Sequence, residues 1–171
     1  MGCGKSSVGR RLSALLSCSY ADLDTFIEES AGRSIPEIFA SEGESAFRRM
    51  EADGLKKMID RGSEDHETLI LSLGGGTVMT PECEQIVFEQ TLCIYLRASV
   101  DTLINHLEVE SEGRPMLFST SSLRERISEL MSLRSSTYER TAHIIIDTDG
   151  KSIDEICKEL TINILNKKVV F

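Results

Sequence analysis

Gly2-Cys3-Gly4-Lys5-Ser6 is the back half of the phosphate-binding pattern GxxxxGK[ST]. Gly4 fills the second glycine, Lys5 the lysine and Ser6 the hydroxyl, with Ser7 following in the helix start. Each residue type has its own task. Glycines let successive backbone N–H groups converge on phosphate oxygens. The lysine reaches the β- and γ-phosphates, and the serine hydroxyl ligates Mg2+. A helix that begins here adds the positive end of its dipole. The pattern's first glycine and the apolar strand that normally feeds such a loop would both fall before Met1. The sequence therefore predicts a loop entered about ten residues late, with either a true start upstream or a truncated and impaired form. In a parallel sheet that strand is usually central, so its loss would open unpaired edges.

Other polar residues have spacings that fit chemistry. Asp22 and Asp24 stand two apart at the end of an extended stretch near residues 18–21. On a strand they would point to one side, at the carboxyl end where α/β folds bind ligands. One would hold Mg2+ through water, and the other would accept a substrate hydroxyl proton. The plain alternative makes Asp24 the N-cap of a helix over Thr25-Phe26-Ile27. Arg48 and Arg49 share a predicted helix with Glu51. They read either as a solvated face with i, i+3 pairing or as an arginine fork for a carboxylate, a bidentate geometry that lysine does not offer. Gly74-Gly75-Gly76 follows an apolar run, where backbone must approach a ligand closely or the chain simply turns. Arg114 precedes Pro115 in an irregular segment and can close onto a transferring phosphate. Glu108, Glu110 and Glu112 nearby also fit a solvated acidic loop. Arg134 and Tyr138 lie one helical turn apart. His66, His106 and His143 show no metal-ligand spacing.

Positioning these groups requires an alternation of strands and helices. Val8, Leu12, Leu15 and Leu16 mark one face of a helix after the loop. Ser34 and Glu37 have capping-box spacing with Pro36 in the first turn, and a polar-faced helix follows over roughly 43–61. Residues 68–73 and 92–96 read as strands buried on both faces, and 143–146 as a short buried strand. Pro81 starts a helix, residues 99–107 suggest another, and Leu123, Ile127, Leu130 and Met131 restore helical spacing. Ile153, Ile156, Leu160 and Ile164 form the face of a last helix. Residues 108–122 have no clear period and are the candidate lid. Four strands among helices predict an α/β fold, a three-layer parallel sheet flanked by helices with its first strand missing.

The 171 residues predict one domain, spanning 1–171. A net charge of −9 argues against non-specific nucleic-acid binding and against docking on anionic membrane. No apolar run is long enough to span a bilayer, and no signal peptide is evident. Cys3, Cys18, Cys83, Cys93 and Cys157 are scattered, without a CxxC pair. They read as reduced thiols of a cytosolic protein, Cys3 as a space-filling residue.

Taken together, the motifs resemble those of the shikimate kinase family, small P-loop kinases of the nucleoside-monophosphate-kinase type. The resemblance runs over nearly the whole chain and in order: GCGKSSVGRRLSALL, YADLD, EGESAFRRME, LSLGGGTV, GRPML and LRSSTYER. It implies ATP-dependent phosphorylation of the 3-hydroxyl of shikimate, with Mg2+, in aromatic biosynthesis. It assigns Gly2, Cys3, Gly4, Lys5, Ser6, Ser7 and Arg114 to the ATP phosphates, and Ser6 and Asp22 to Mg2+. Asp24, Arg48, Gly74, Gly75, Gly76 and Arg134 fall on the shikimate site, with Arg48 and Arg134 clamping the carboxylate. Asp24 holds the hydroxyls and serves as base, Arg114 reaches both substrate and γ-phosphate, and Glu51 orients Arg48. Helices over about 25–61 would carry the substrate site, and the protein would be a cytoplasmic monomer. One position departs from the family: a basic residue before the lid is replaced by Asn105-His106-Leu107-Glu108. The rival readings are a related small-molecule kinase, such as a gluconate kinase, and a nucleotide-binding module without catalysis.

Overall fold

The computed structural model describes residues 3–64, 68–110 and 120–167. Its elements run α1 (Lys5–Leu16), β1 (Ser19–Asp22), α2 (Leu23–Ala31), α3 (Ile35–Glu64), β2 (Leu69–Ser72), a 3-10 turn (Thr77–Met79), α4 (Pro81–Gln90), β3 (Ile94–Arg97), α5 (Val100–Glu110), α6 (Thr120–Thr141), β4 (Ile144–Asp147) and α7 (Ile153–Asn166). The four expected strands are all present, and each pairs in parallel, β1 with β2 and β3 with β4. Parallel neighbours cannot be joined by a tight turn and need a crossover. Helices α2 and α3 carry the chain from β1 to β2, and α5 and α6 carry it from β3 to β4. The chain divides into two compact units, Gly9–Leu92, and Met1–Val8 with Cys93–Phe171.

In the Gly9–Leu92 unit, β1 and β2 run in register with Asp22 opposite Ser72. Leu23 and Ile27, one turn apart on α2, are both buried, and α2 packs on α3. A side chain at position 54 of α3 would meet Leu23 Cδ1 at 3.2 Å, so the helices approach closely here. Ile38, Phe47, Leu55 and Met58 of α3 and Cys83, Ile86 and Val87 of α4 are buried as well. Helix α3 starts earlier than the expected 43–61. Pro36 fits its first turn, where no intrahelical partner is lost, and the Ser34 N–H donates to Glu37 Oε2 at 2.8 Å. Gly43 interrupts it with φ +78°, a left-handed value costly for any other residue.

In the second unit, β3 and β4 are in register with Arg97 opposite Asp147. Ala98, Leu103, Ile104 and Ile127 form a buried cluster, against which Cys3, Val100, Leu107, Leu123 and Met131 pack. Helix α7 packs on β4 through a face that buries Ile156, Cys157 and Leu160. A reciprocal capping box between Ser152 and Glu155 opens α7. Asp147 accepts two hydrogen bonds from Arg97, Nε to Oδ1 at 2.5 Å and an η-nitrogen to Oδ2 at 2.9 Å, which lowers its pKa.

Two expectations are corrected. The apolar runs predict strands buried on both faces, but most residues of β2 and β3 are half-buried and those of β4 alternate between buried and exposed. Each described strand has one hydrogen-bonded neighbour, and side chains along an unpaired edge keep contact with solvent. The expected helix over 99–107 continues as α5 to Glu110, and α6 already begins at Thr120. The start and end of the 108–122 segment are therefore helical, while residues 111–119 lie outside the described residues.

All five cysteines are free thiols. Burial pushes the Cys93 thiol up to about 11 and also raises Cys18 and Cys83. Thiols with raised pKa stay protonated at neutral pH and are poor nucleophiles.

Candidate active site

The register of the first pair decides what lies at its carboxyl end. Asp22 and Ser72 are paired at the strand ends, so two residues beyond the end of each strand come Asp24 and Gly74. They are in close contact: a Cβ on Gly74 would sit 2.9 Å from Asp24 Oδ1 and 3.4 Å from Oδ2. The same loop touches Arg48. A Cβ on Gly76 would lie 2.8 Å and 3.0 Å from its two η-nitrogens. Gly76 has φ −100°, a value any residue adopts, so the glycine is required by the guanidinium beside it. The glycine loop thus has the Asp24 carboxylate against one residue and the Arg48 guanidinium against another.

Arg48 is held in place from its own helix. It makes ion pairs with Glu51 and, at 3.0 Å, with Glu44. Burial works against its charge, but these two carboxylates outweigh that and hold its pKa above the ordinary arginine value. The Glu51 side chain is almost wholly buried, at 2 % exposure, whereas Arg48 keeps 24 %. Glu51 Oε2 accepts from Arg48, and Oε1 accepts from the Thr77 hydroxyl at 2.7 Å. A buried charge is tolerated when it is paired and hydrogen-bonded, and both conditions hold. Of the two readings of this pairing, the solvated face does not hold: Glu51 is a buried brace beneath a partly exposed arginine.

The placement of the two aspartates is a correction. They are not on one strand. Asp22 ends β1 and caps α2, accepting from the Asp24 and Thr25 N–H groups at 3.1 and 3.4 Å, while Asp24 is in the helix's first turn. The N-cap is therefore Asp22 and not Asp24. The buried positions of Leu23 and Ile27 require the helix to begin at Leu23, which leaves the capping position to the residue before it. The second oxygen of Asp22 accepts weakly from the Tyr20 hydroxyl at 3.5 Å.

In the second unit, Gly4 has φ +75°, and the Val8 N–H donates to its carbonyl at 2.9 Å. Helix α1 begins at the next residue and has no acidic side chain in its first turn. The amides of Lys5, Ser6 and Ser7 consequently have no carbonyl ahead of them in the helix. Ser6 and Ser7 are exposed and Lys5 half-exposed. This is the helix-end geometry of an anion site, with a lysine added. Cys3 turns its side chain to the apolar cluster of this unit, as a space-filling residue does. Arg134 is half-buried on α6, and the Tyr138 ring lies 5.2 Å from that of Tyr95. Gly2 and Arg114 lie outside the described residues, and no group of three or more metal-ligating His, Cys, Asp or Glu side chains occurs among the described ones.

Thr77 was not singled out in the sequence. A threonine after a glycine triplet has no distinctive type or spacing, and its partner Glu51 is 26 residues away.

The family model described as "Shikimate kinase" matches residues 1–165. A shikimate kinase of Thermus thermophilus is 39% identical over 160 residues, covering 94% of this chain and 83% of that one. One from Dictyoglomus turgidum is 37% identical over 162 residues, covering 94% and 90%. Among solved structures, shikimate kinase from Acinetobacter baumannii in complex with shikimate superposes with a TM-score of 0.84 at 28% identity, covering 99% of this chain and 90% of that one.

Proposed function

Since the chain belongs to the shikimate kinase family and is an ATP-dependent kinase of shikimate with the P-loop α/β fold of that family, we propose which of its residues carry the reaction. The observation that carries the reading is the glycine loop set between Asp24 and a braced Arg48. Shikimate is a small ring with one carboxylate and three hydroxyls. Arg48 offers a planar fork that matches a carboxylate in two parallel hydrogen bonds. Arg134 is assigned to the same carboxylate. Asp24 takes the substrate hydroxyls and draws the proton from the 3-hydroxyl as it attacks the γ-phosphate. Gly74, Gly75 and Gly76 provide a wall without side chains.

The phosphates of ATP fall to Gly2, Cys3, Gly4, Lys5, Ser6 and Ser7, through backbone amides and the lysine charge, with Arg114 supplying a further positive charge. Phosphoryl transfer depends mainly on positioning and on stabilising charge in flight. Mg2+, a hard cation that favours oxygen donors and keeps several waters, would neutralise the β- and γ-phosphate charge. The residues present fit it. The Ser6 hydroxyl is exposed in the first turn of α1. Asp22 keeps an oxygen with one weak contact to Tyr20, suited to hold a metal-bound water.

We read the protein as a cytoplasmic monomer acting on free small molecules. Five free thiols and the acidic charge support this, and no helix among the described residues is long and apolar enough to cross a membrane.

Two variants test the assignment of the carboxylate site. Arg48→Ala is expected to raise the KM for shikimate about a hundredfold, the loss of a charge-assisted bidentate pair, while the KM for ATP stays within about threefold. An unchanged shikimate KM would remove Arg48 from the site. Gly76→Ala inserts a methyl 2.8 Å from a guanidinium nitrogen, so Arg48 has to move. The shikimate KM should rise about tenfold while the melting temperature hardly changes, because φ at this residue suits alanine. A wild-type KM in Gly76→Ala would show that the guanidinium position is not critical.

A further inference from the structure

Thr77 is fully buried, at 0 % exposure, in the 3-10 turn that follows the glycine loop. Its N–H donates to the Gly74 carbonyl at 3.2 Å, and its own carbonyl accepts from the Thr80 hydroxyl at 3.3 Å. Its hydroxyl donates to Glu51 Oε1 at 2.7 Å, while Oε2 of the same carboxylate accepts from Arg48. The hydroxyl also stands beside the substrate loop. A Cβ on Gly74 would lie 3.2 Å from Thr77 Oγ1 and 2.9 Å from Asp24 Oδ1.

The hydroxyl and Arg48 thus hold the Glu51 carboxylate from opposite ends. A carboxylate buried with one oxygen lacking a donor pays for desolvation without compensation, and rotates or takes up water to recover a partner. Either movement shifts the anchor of the Arg48 fork, and a fork is sensitive to small displacements because both of its bonds must align together. We propose that Thr77 is a positioning residue for shikimate binding: its hydroxyl fixes the Glu51 carboxylate and thereby aims Arg48 at the substrate carboxylate. The proposal rests on the reading of Arg48 as the shikimate-carboxylate ligand.

The test is steady-state kinetics on the full chain for Thr77→Val, Thr77→Ser, Glu51→Gln and the Thr77→Val/Glu51→Gln double variant, with Arg48→Ala as reference. Thr77→Val keeps the volume and removes the donor. It should raise the shikimate KM about tenfold and leave the ATP KM and kcat within about threefold. Thr77→Ser restores the donor and should bring the shikimate KM back to within about twofold of wild type. In the Glu51→Gln background the valine substitution should add less than about a twofold change, because both act through one contact. A shikimate KM unmoved by Thr77→Val while Arg48→Ala raises it overturns the proposal and leaves the arginine assignment standing. If Arg48→Ala is silent too, both fall. Loss of kcat and of both KM values together in Thr77→Val would mark a structural role only and also overturns it. Should the valine variant not fold, Thr77→Cys, a weaker donor of similar size, carries the test, and a wild-type shikimate KM there contradicts the proposal.

Discussion

Replacing Lys5 with methionine is expected to lower kcat by about a thousandfold, roughly 4 kcal/mol of transition-state stabilisation. The first turn of α1 has no acidic residue to offset the lysine, and Gly4, at φ +75°, turns the chain into the helix just before it. Under the proposed assignment the ammonium lies where negative charge collects on the transferring phosphoryl group. Backbone amides remain in the variant, so nucleotide binding should weaken far less than turnover, by about tenfold. Methionine matches lysine in length and helix propensity, so the melting temperature should stay close to wild type. Kinetics over a range of ATP concentrations, beside a thermal melt, check this. A kcat within threefold of wild type would remove Lys5 from the chemistry, and a raised ATP KM beside that unchanged kcat would make it a binding residue only.

The second large effect is expected at Asp24. Asparagine keeps the shape and most hydrogen bonds to substrate hydroxyls but cannot take a proton. General-base catalysis is typically worth 10²–10⁴-fold, and the loose transition state of phosphoryl transfer puts this case toward the lower end, so Asp24→Asn should cost kcat about 10²- to 10³-fold. The shikimate KM should change about threefold or less, since the proposed assignment gives the substrate carboxylate to arginines and not to Asp24. Asp24 is not the helix cap, so the variant should not unravel α2; the cap is Asp22. Asp22→Asn is the matched control for the helix, because asparagine caps nearly as well as aspartate. A variant Asp24→Asn with wild-type kcat would show that the attacking hydroxyl loses its proton without help from this carboxylate.

These residues were legible in the sequence to different degrees, and the reasons are physical. The strand Leu69–Ser72 and the glycines after it stood out because a continuous apolar run stopped by three glycines has few other solutions. The phosphate loop was legible from a half pattern because residue type and helix phase agreed. The roles of Asp22 and Asp24 were not separable from DLD, where either carboxylate can cap. The burial of Leu23 against its neighbours decided between them. The brace under Arg48 was legible as a pairing but not as a buried one, because glutamate is rarely buried and Glu51 is buried here through Thr77, a residue from another segment. The break at Gly43 was hidden inside a helical pattern that continues on both sides of it. The partial exposure of the strands depends on how many neighbours each one pairs with, which no local pattern of apolar residues reports.

The central claim is that Arg48 and Asp24, held against one glycine loop, select a carboxylate-bearing polyol for phosphorylation at the expense of ATP. A coupled ADP-release assay of the full chain with Mg2+ and ATP, run over shikimate and a panel of sugar acids and polyols including gluconate, tests it most directly. ADP release that depends on shikimate and falls with Arg48→Ala, and little or none with gluconate, is the predicted result. Release that follows gluconate and not shikimate, or ATP binding without turnover on any acceptor, would contradict it.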